Sequence, residues 1–439
     1  MRLICLVKKV WQRRRYVLDS TQKFDMVHQN PESSHDTHEE SPKAETVMVM
    51  IARDTPKMML PISKFLLSGM LLCFLTPCLV YPDDEAFARY PGNYQGFVKT
   101  LHESKPGTLA FRAVHAGNVN HWREAARDKL VDLLGLKRMQ SELSAHQPGV
   151  ELEMPEDMGA YLRFDASIET EPGFRVPFWL LKPKSKAKGD RYPLAICSHG
   201  HDMRGRDTYA GVWHDDGHRQ LGLSRGGPIA VQAVERGFLT LVPATRGLAK
   251  EASLPDLKGR HGKRPCRAQL MHALMVGRTA VGERVWDIQR LLDWALKRSD
   301  VDPSRVIMTG NSGGGVLTVH TAAIDDRITV AVPSCSFTSF TSETGYIFHC
   351  DCCLIPRVQS ELGDFSDIGG LIAPRALLAV NGKKDTLHYF SDVEKAMAHV
   401  SKIYRATGDI HPFKHEWGEE GHQFYPEIMW PFIKKWTQK

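Results

Sequence analysis

The sequence predicts an α/β protein with a mostly parallel central sheet, helices on both faces and a helical lead-in before the sheet. Three observations support this fold class. Short β-prone runs alternate with longer helical patterns, one such run passes through Gly-x-Ser-x-Gly into helix-forming sequence, and the composition is ordinary for a globular chain. Alternation of this kind places strands parallel to one another with helices packed on both faces. At 439 residues, 42% of them hydrophobic, the chain is long enough for one large domain and an N-terminal addition.

Three segments are predicted before the main domain. Residues 1–57 are mostly polar from residue 22 onward, and we expect them to be disordered or untranslated. Residues 58–81 contain an apolar run with lysines before it and acidic residues after it, which favours a signal peptide or signal anchor and an exported protein, periplasmic or secreted. Such an anchor is the one membrane contact that we expect. Residues 82–149 carry apolar side chains at spacings of three and four, which indicates the helical lead-in.

The main domain, residues 150–439, begins with two apolar-rich stretches that predict antiparallel strands, after which strands and helices alternate. An apolar run at 193–197 that ends in Ser-His-Gly-His is typical of a buried strand that meets a functional loop. The predicted strands are 160–164, 176–181, 193–197, 238–242, 306–308, 329–332, 376–380 and 413–417. The predicted helices are 229–236, 269–297, 316–323 and 391–404.

Ser312 is the predicted nucleophile, because the pattern Gly310-x-Ser312-x-Gly314 lies between a β-prone run and helix-forming residues. Such a turn strains the serine backbone, requires small neighbours and projects Oγ above the carboxyl end of a sheet. A second Gly-x-Ser-x-Gly surrounds Ser224, but it follows a polar loop and no predicted strand delivers it to a sheet edge. Ser224 is therefore interpreted as part of a loop that leads into a helix near Pro228.

A serine nucleophile needs a base and an acid, which follow in the order Ser, Asp or Glu, His. Asp385 lies in the loop after the strand 376–380 and is the predicted acid, although loop aspartates often serve only in turns. His422 lies in a glycine-bearing loop after the last strand and is the predicted base, with His415 as the alternative. Backbone N–H groups of Gly313 and His201 are the predicted oxyanion donors, unless the loop 198–201 is only a turn.

No metal site and no cofactor are predicted. The nine cysteines are odd in number and irregularly spaced, and the cluster 349–353 contains a single Cys-x-x-Cys pair, so local packing or one disulfide is the interpretation. A metal-dependent hydrolase is an alternative class, although the sequence has no His-Glu-x-x-His helix. It would draw on the four histidines His199, His201, His214 and His218.

From about Trp122 to Trp436 the sequence resembles the α/β-hydrolase superfamily, nearest to dienelactone-hydrolase-like and acetyl xylan esterase-like proteins. The resemblance rests on a combination of segments, namely 198–201, 277–287, 309–315, 372–375 and 421–422. It implies the α/β-hydrolase fold and hydrolysis of carboxylic esters without a cofactor. Dienelactone hydrolases proper use a cysteine nucleophile, so serine at position 312 favours an ordinary ester.

The resemblance and the predicted export together imply a small-molecule or polysaccharide ester as substrate, such as an acylated polysaccharide. His199, Arg246 and Arg278 are candidate pocket residues, with structural ion pairs as the alternative for the two arginines. A formal net charge of +6 is too weak to indicate a nucleic-acid partner. A peptidase of the same fold and a noncatalytic binding protein are two further hypotheses that the sequence leaves open.

Overall fold

A computed structural model describes residues 94–104, 107–185, 191–255, 257–260, 264–342 and 345–438. The predicted segments 1–57 and 58–81, and the first part of the predicted lead-in, lie outside the described residues. Among the residues that are described, no helix combines the length and the apolar character needed to cross a bilayer.

The secondary structure follows the predicted alternation. The strands are β1 Val150–Leu152, β2 Glu156–Asp157, β3 Tyr161–Glu171, β4 Phe174–Pro183, β5 Tyr192–Ser198, β6 Leu239–Pro243, β7 Val301–Asn311, β8 Val330–Ser334, β9 Ala376–Gly382 and β10 Phe413–Gly418. The α-helices are α1 Tyr94–Ser104, α2 Val119–Leu133, α3 Leu136–Glu142, α4 Gly205–Ala210, α5 Asp216–Ser224, α6 Ile229–Glu235, α7 Pro265–Met275, α8 Ala280–Ala295, α9 Gly313–Ile324, α10 Val358–Glu361, α11 Phe365–Gly370, α12 Phe390–Ala406 and α13 Pro426–Thr437.

All ten strands belong to one sheet, in the order β1, β3, β4, β6, β5, β7, β8, β9 and β10, with β2 paired to β3. Strands β1 to β4 pair antiparallel, and β4 joins β6 antiparallel. From β6 to β10 every neighbouring pair is parallel. The predicted fold class is therefore confirmed, including the antiparallel start of the sheet.

Both faces of the parallel part are buried. Along β5, Leu194 and Ile196 belong to one apolar cluster, whereas Ala195 and Cys197 belong to another on the opposite face. The first cluster contains side chains of α2, α3, α8, α9 and α12, and the second contains side chains of α4, α6 and α13. Because successive strand residues point to opposite faces, a strand that is buried on both sides must be apolar throughout.

Two helices differ from the prediction. The prediction of one continuous helix over 269–297 is wrong. The helical conformation is interrupted between α7 and α8 at Gly277, which has a φ of +72°. Thr279 then starts α8 by accepting a hydrogen bond from the N–H of Gly282 at 2.9 Å. The polar loop before Ser224 is instead helix α5, which Asp215 caps by accepting the N–H of His218 at 2.7 Å.

The parallel strands end at a common edge, and this edge positions the site. Ser198 at the end of β5 pairs with Gly310 of β7, and Asn311 of β7 pairs with Ser334 of β8. On the other side, Gly418 at the end of β10 pairs with Gly382 at the end of β9. The loops that leave β5, β7, β8, β9 and β10 therefore begin side by side.

Candidate active site

Ser312 has the backbone conformation that a nucleophile elbow requires. Its φ is +57° and its ψ is −125°, a region that residues with a side chain rarely adopt. The strand holds this turn in place, because the Ser312 N–H donates to the Ser334 carbonyl of β8 at 2.9 Å. Helix α9 begins at the next residue, and the Ser312 carbonyl accepts the N–H of Val316 at 3.0 Å. Strand, strained turn and helix follow one another as the sequence predicts.

The two glycines of the motif are needed because another backbone segment passes close to the turn. A methyl group at Gly314 would collide with the carbonyl oxygen of Ser198 at the end of β5. One at Gly310 would collide with the same oxygen and with the backbone of Gly314. The end of β5 is thus in direct contact with the elbow, and this contact brings the loop 199–201 next to Ser312.

His422 and Asp385 form a hydrogen-bonded pair beside this elbow. Nδ1 of His422 lies 2.7 Å from Oδ2 of Asp385. An ionised carboxylate can only accept a hydrogen bond, so Nδ1 carries the proton and donates it to Asp385. In the neutral imidazole Nε2 is then the acceptor. The second oxygen of Asp385 accepts the N–H of Leu387 at 3.0 Å, which fixes the orientation of the carboxylate.

The surroundings of Asp385 favour its ionised form. Burial by itself raises the pKa of this carboxyl group, but the hydrogen bond and charge of His422 and the N–H of Leu387 outweigh it, and the pKa lies below its ordinary value. His388 is buried close by, with Nδ1 at 3.8 Å from Oδ2 of Asp385. Burial lowers the pKa of His388 to about 4, so this second imidazole is neutral at pH 7.

Gly313 and His201 lie together next to the elbow. Gly313 is the first residue of α9, and the N–H groups of a first helical turn have no partner inside the helix. A methyl group built on Gly200 would lie 3.0 Å from the Gly313 nitrogen, which shows how close the loop after β5 comes to this donor. The imidazole of His201 lies against Gly313, since a methyl group there would be 3.2 Å from Nδ1 of His201.

Two cavities meet at these residues. One has a volume of about 660 Å³ and the other about 230 Å³, and both are lined by Ser312, His422 and His201. Gly313, Cys335 and His388 also line the larger cavity, and its outer part contains the apolar side chains Tyr346, Ile347, Phe348 and Leu387. A wider groove of about 1200 Å³ lies between β5 and α13 and contains none of the predicted site residues.

Three predicted pocket residues have structural positions instead. His199, Arg246 and Arg278 line neither of the two cavities that Ser312 lines. His199 is fully buried, and its Nε2 accepts the N–H of Thr245 at 2.9 Å, which joins the loop after β5 to the loop after β6. Burial lowers the pKa of His199 to about 4.

The two arginines belong to one buried ion network. Arg246 pairs with Asp287 at 2.6 Å and with Glu171 at 2.7 Å. Arg278 pairs with the other oxygen of Glu171, also at 2.7 Å. The network ties α8 to the end of β3, and the pocket assignment of both arginines is corrected to an ion-pair role. The carboxylates come from distant segments, so no local pattern distinguishes the two roles.

The alternative site residues lie elsewhere. Ser224 is the last residue of α5, is exposed, and donates to the Leu221 carbonyl at 2.9 Å. His415 lies within β10, in edge contact with the Trp417 ring at a centroid distance of 5.1 Å. Neither side chain lines the two cavities at Ser312.

The four histidines of the metal-hydrolase alternative do not converge. His214 binds Oδ2 of Asp207 at 2.8 Å, and His218 binds the hydroxyl of Thr208 at 2.8 Å. Among the described residues, the two clusters whose ligand atoms lie close enough together to hold a metal ion contain neither His214 nor His218. One cluster is Cys335, Asp385 and His422, and the other is His201, Cys266, Cys350 and Cys352.

Several residues at the site carry little or no signal in the sequence. His388 follows Asp385 by three residues, and this proximity in the sequence is the one feature that points to it.

Cys335 is a second such residue. It has a φ of +46° directly after β8, and its Sγ donates to the carbonyl of Gln423, the residue after His422, at 3.4 Å. The aromatic side chains at 346 and 348 belong to no motif. The sequence does not predict the cysteine cluster, because Cys266 is far from 350–353 along the chain. The six described cysteines are free thiols.

Comparison with solved structures agrees with this architecture. A protein of Bacteroides fragilis NCTC 9343, provisionally assigned as an acetyl xylan esterase, superposes with a TM-score of 0.60 at 16% identity, covering 79% of this chain and 95% of that one. The chain has the α/β-hydrolase fold. Methylesterase BT1017 superposes with a TM-score of 0.53 at 19% identity, covering 71% of this chain and 63% of its own length.

Sequence comparison links this α/β-hydrolase fold to esterases over a shorter range. The family model described as acetyl xylan esterase (AXE1) matches residues 278–342, which include α8, β7 and the elbow at Ser312. YtaP of Bacillus subtilis (strain 168), provisionally assigned as a hydrolase, is 30% identical over 174 residues. That match covers 37% of this chain and 56% of YtaP, so the chain spans little more than half of this relative.

Proposed function

We propose that this protein is a serine hydrolase that cleaves carboxylic esters on acylated carbohydrate. The observation that carries the proposal is the meeting of a strained Ser312 and the His422–Asp385 pair at one cavity. A strained serine, an imidazole and a carboxylate in this chain order are the components of acyl-transfer catalysis in this fold. The match to the acetyl xylan esterase model around Ser312 supports ester chemistry in particular.

In the proposed reaction, Oγ of Ser312 attacks the ester carbonyl carbon while Nε2 of His422 accepts the hydroxyl proton. The resulting oxyanion accepts hydrogen bonds from the backbone N–H groups of Gly313 and His201. The bond to the alcohol then breaks, the alcohol leaves with the proton from His422, and Ser312 remains acylated. Water, activated by the same imidazole, releases the carboxylic acid and restores the hydroxyl group. Asp385 orients the imidazole and stabilises its protonated form.

The outer part of the larger cavity supports a carbohydrate as the alcohol component. Tyr346 is 52% exposed and Leu387 is 47% exposed at this rim, although large apolar side chains are usually buried. The Tyr346 and Phe348 rings contact edge to face with centroids 5.2 Å apart, and Phe348 contacts the Tyr389 ring at 5.5 Å. Such a group of rings offers flat apolar faces on which the C–H face of a sugar ring can pack.

The two cavities differ in volume, which suggests that one holds the acyl group of the ester and the other holds the alcohol component. The cavity of about 230 Å³ suits a short acyl group such as acetyl, and the cavity of about 660 Å³ with the aromatic rim suits the sugar. We propose in addition that the enzyme acts outside the cytoplasm, on the basis of the apolar segment in 58–81. An exported enzyme would meet acylated polysaccharide directly.

The substrate class is tested by steady-state kinetics on an acetylated xylo-oligosaccharide and on a small aryl acetate. In Tyr346→Ala we expect kcat/KM for the oligosaccharide to fall about 3- to 10-fold, because a packed ring contributes about 0.5–1.5 kcal/mol. An aryl acetate carries no sugar ring to pack on Tyr346, so its kcat/KM should stay within about twofold.

Phe390→Ala is the matched control. Phe390 is 56% exposed, but it stacks on Trp417 at a centroid distance of 4.3 Å and does not line the larger cavity. Its removal should change neither reaction. Equal kinetics of Tyr346→Ala and wild type on the oligosaccharide would contradict the carbohydrate site. Cleavage of peptides without hydrolysis of either ester would favour a peptidase instead.

A further inference from the structure

Four metal-binding side chains meet beside the candidate active site. One ring nitrogen of His201 and the sulfurs of Cys266, Cys350 and Cys352 all lie within 4.8 Å of one another. They come from three separate parts of the chain, namely the loop after β5, the first turn of α7 and the segment around the 3-10 turn Asp351–Cys353.

Two distances within this cluster are close to those of tetrahedral metal coordination. Sγ of Cys352 lies 3.8 Å from Sγ of Cys350 and 3.3 Å from Nε2 of His201. A tetrahedral Zn²⁺ with Zn–S bonds of about 2.3 Å and a Zn–N bond of about 2.0 Å places two sulfurs about 3.8 Å apart and a sulfur and nitrogen about 3.5 Å apart. Three thiolates and one imidazole form one of the usual ligand sets of structural zinc.

A buried positive charge next to the cluster provides a second, independent observation. Arg284 of α8 is only 2% exposed, which is costly for a guanidinium group without a negatively charged partner. Its hydrogen-bond partners are the carbonyl oxygens of Arg246 at 2.8 Å and Cys352 at 3.2 Å, Oε1 of Gln269 at 3.0 Å, and Sγ of Cys353 at 3.9 Å. None of these partners is a carboxylate.

With a metal bound, the deprotonated thiolates would supply the negative charge that Arg284 lacks as a partner. Two positive charges of zinc and three negative thiolates leave one negative charge on the cluster, and the imidazole adds none. That charge balances the single positive charge of Arg284. Asp351 lies in the same turn, where its Oδ1 is 3.0 Å from Sγ of Cys350 and its Oδ2 pairs with Arg267, so it makes no contact with Arg284 among the hydrogen bonds above. We propose that His201, Cys266, Cys350 and Cys352 bind one Zn²⁺ ion.

The site is structural, because four protein ligands leave no open position for water or substrate. It joins α7 and the segment 350–352 to the loop after β5. His201 would serve both functions, since its side chain would bind the metal while its backbone N–H is the proposed oxyanion donor, a consequence that rests on the proposed function. The metal site itself does not depend on that function.

The first test is the metal content of the protein purified without chelator and under reducing conditions. We expect about one zinc per chain, and an addition of Co²⁺ to the metal-free protein should produce thiolate-to-cobalt charge-transfer absorption in the near ultraviolet. Titration of the zinc-bound wild type with a mercurial should release the metal as the thiols react, which requires no variant to fold. Removal of zinc should lower the Tm.

The variants locate the ligands. Cys352→Ser and Cys266→Ser should lose the stoichiometric zinc and the cobalt absorption. Cys353→Ser is the matched control, because Cys353 is equally buried and adjacent in the sequence but lies outside the ligand set, so it should retain both.

Three results would overturn the zinc site. They are a reduced wild-type chain that takes up no stoichiometric Zn²⁺, a disulfide between two of the three cysteines in the purified protein, and zinc binding without the thiolate absorption. Metal content is measured without substrate, so loss of the zinc site and failure of the esterase proposal can be told apart.

Discussion

At the scale of single residues, the proposed catalysis depends on the direction of one hydrogen bond. Because Asp385 accepts a hydrogen bond from Nδ1–H, the neutral His422 has Nε2 free as an acceptor, which is the atom that takes the serine proton in the proposed reaction. The lowered pKa of Asp385 keeps the carboxylate ionised, and the loop after β9 fixes it through the Leu387 N–H. An amide at position 385 could donate to Nδ1 instead, which would favour the wrong tautomer of the imidazole.

Asp385→Asn should therefore lower kcat by about 10³- to 10⁴-fold while KM changes little. Steady-state kinetics on an aryl acetate measures both constants. Glu420→Gln is the control, because Glu420 is a carboxylate two residues before His422 but is paired with Lys384 at 2.9 Å on the surface. The control should stay within about twofold of the wild type. A loss of less than tenfold in Asp385→Asn would contradict the role of Asp385.

The position of a single residue in the fold can be predicted from the sequence where the residue lies in a short motif with a recognisable strand before it. A β-prone run precedes Ser312 but not Ser224, and the structure has β7 before Ser312 and a helix end at Ser224. His199 and Arg246 lie near functional loops in the sequence, which favours a pocket position that the structure contradicts. Their partners, Thr245 and Asp287, are distant in the chain, so only the folded structure reveals their roles.

At the scale of secondary-structure elements, the candidate site is predictable from the sequence because the parallel strands share one carboxyl edge. Each candidate triad residue is predicted to follow the end of a strand, and the register places the ends of β9 and β10 side by side. Helix boundaries are less predictable. The break between α7 and α8 depends on Gly277 in the left-handed region, which a continuous apolar pattern does not indicate.

The cysteine cluster shows the same limit of sequence patterns. A zinc site made of two local pairs can be recognised from its spacing, whereas here the 350–352 segment contributes two sulfurs and the remaining ligands come from α7 and from the loop after β5. Their proximity is a consequence of how α7 packs near the carboxyl edge of the sheet. The prediction that no metal site exists rests on spacing alone.

At the scale of the whole molecule, buried histidines couple stability to pH. Burial lowers the pKa of His199, His320, His349 and His388 to about 4 each, from an ordinary value of 6.5. Between about pH 6.5 and pH 4 the unfolded chain therefore binds protons that the native protein does not. Since the folded-state pKa lies below the unfolded value, these groups lower the unfolding free energy as the pH falls through this window.

We expect the unfolding free energy to fall steeply below about pH 6, with a contribution of about 1.4 kcal/mol per pH unit for each of the four protons. Urea unfolding at a series of pH values measures the slope. His320→Gln is the informative variant, because His320 lies in α9 facing Phe365 and does not line the cavities at Ser312. The slope near pH 5 should fall by about one proton. An unchanged slope would show that His320 is not neutral in the native state.

Covalent labelling with a fluorophosphonate tests most directly whether Ser312 is the reactive nucleophile. We expect one adduct per chain, mapped by peptide mass spectrometry to Ser312. Ser224→Ala, which removes the serine of the second Gly-x-Ser-x-Gly, should be labelled as the wild type is, whereas Ser312→Ala should not be labelled. An adduct on Ser224, a Ser312→Ala variant that still reacts, or a folded wild-type protein that does not react would contradict the claim.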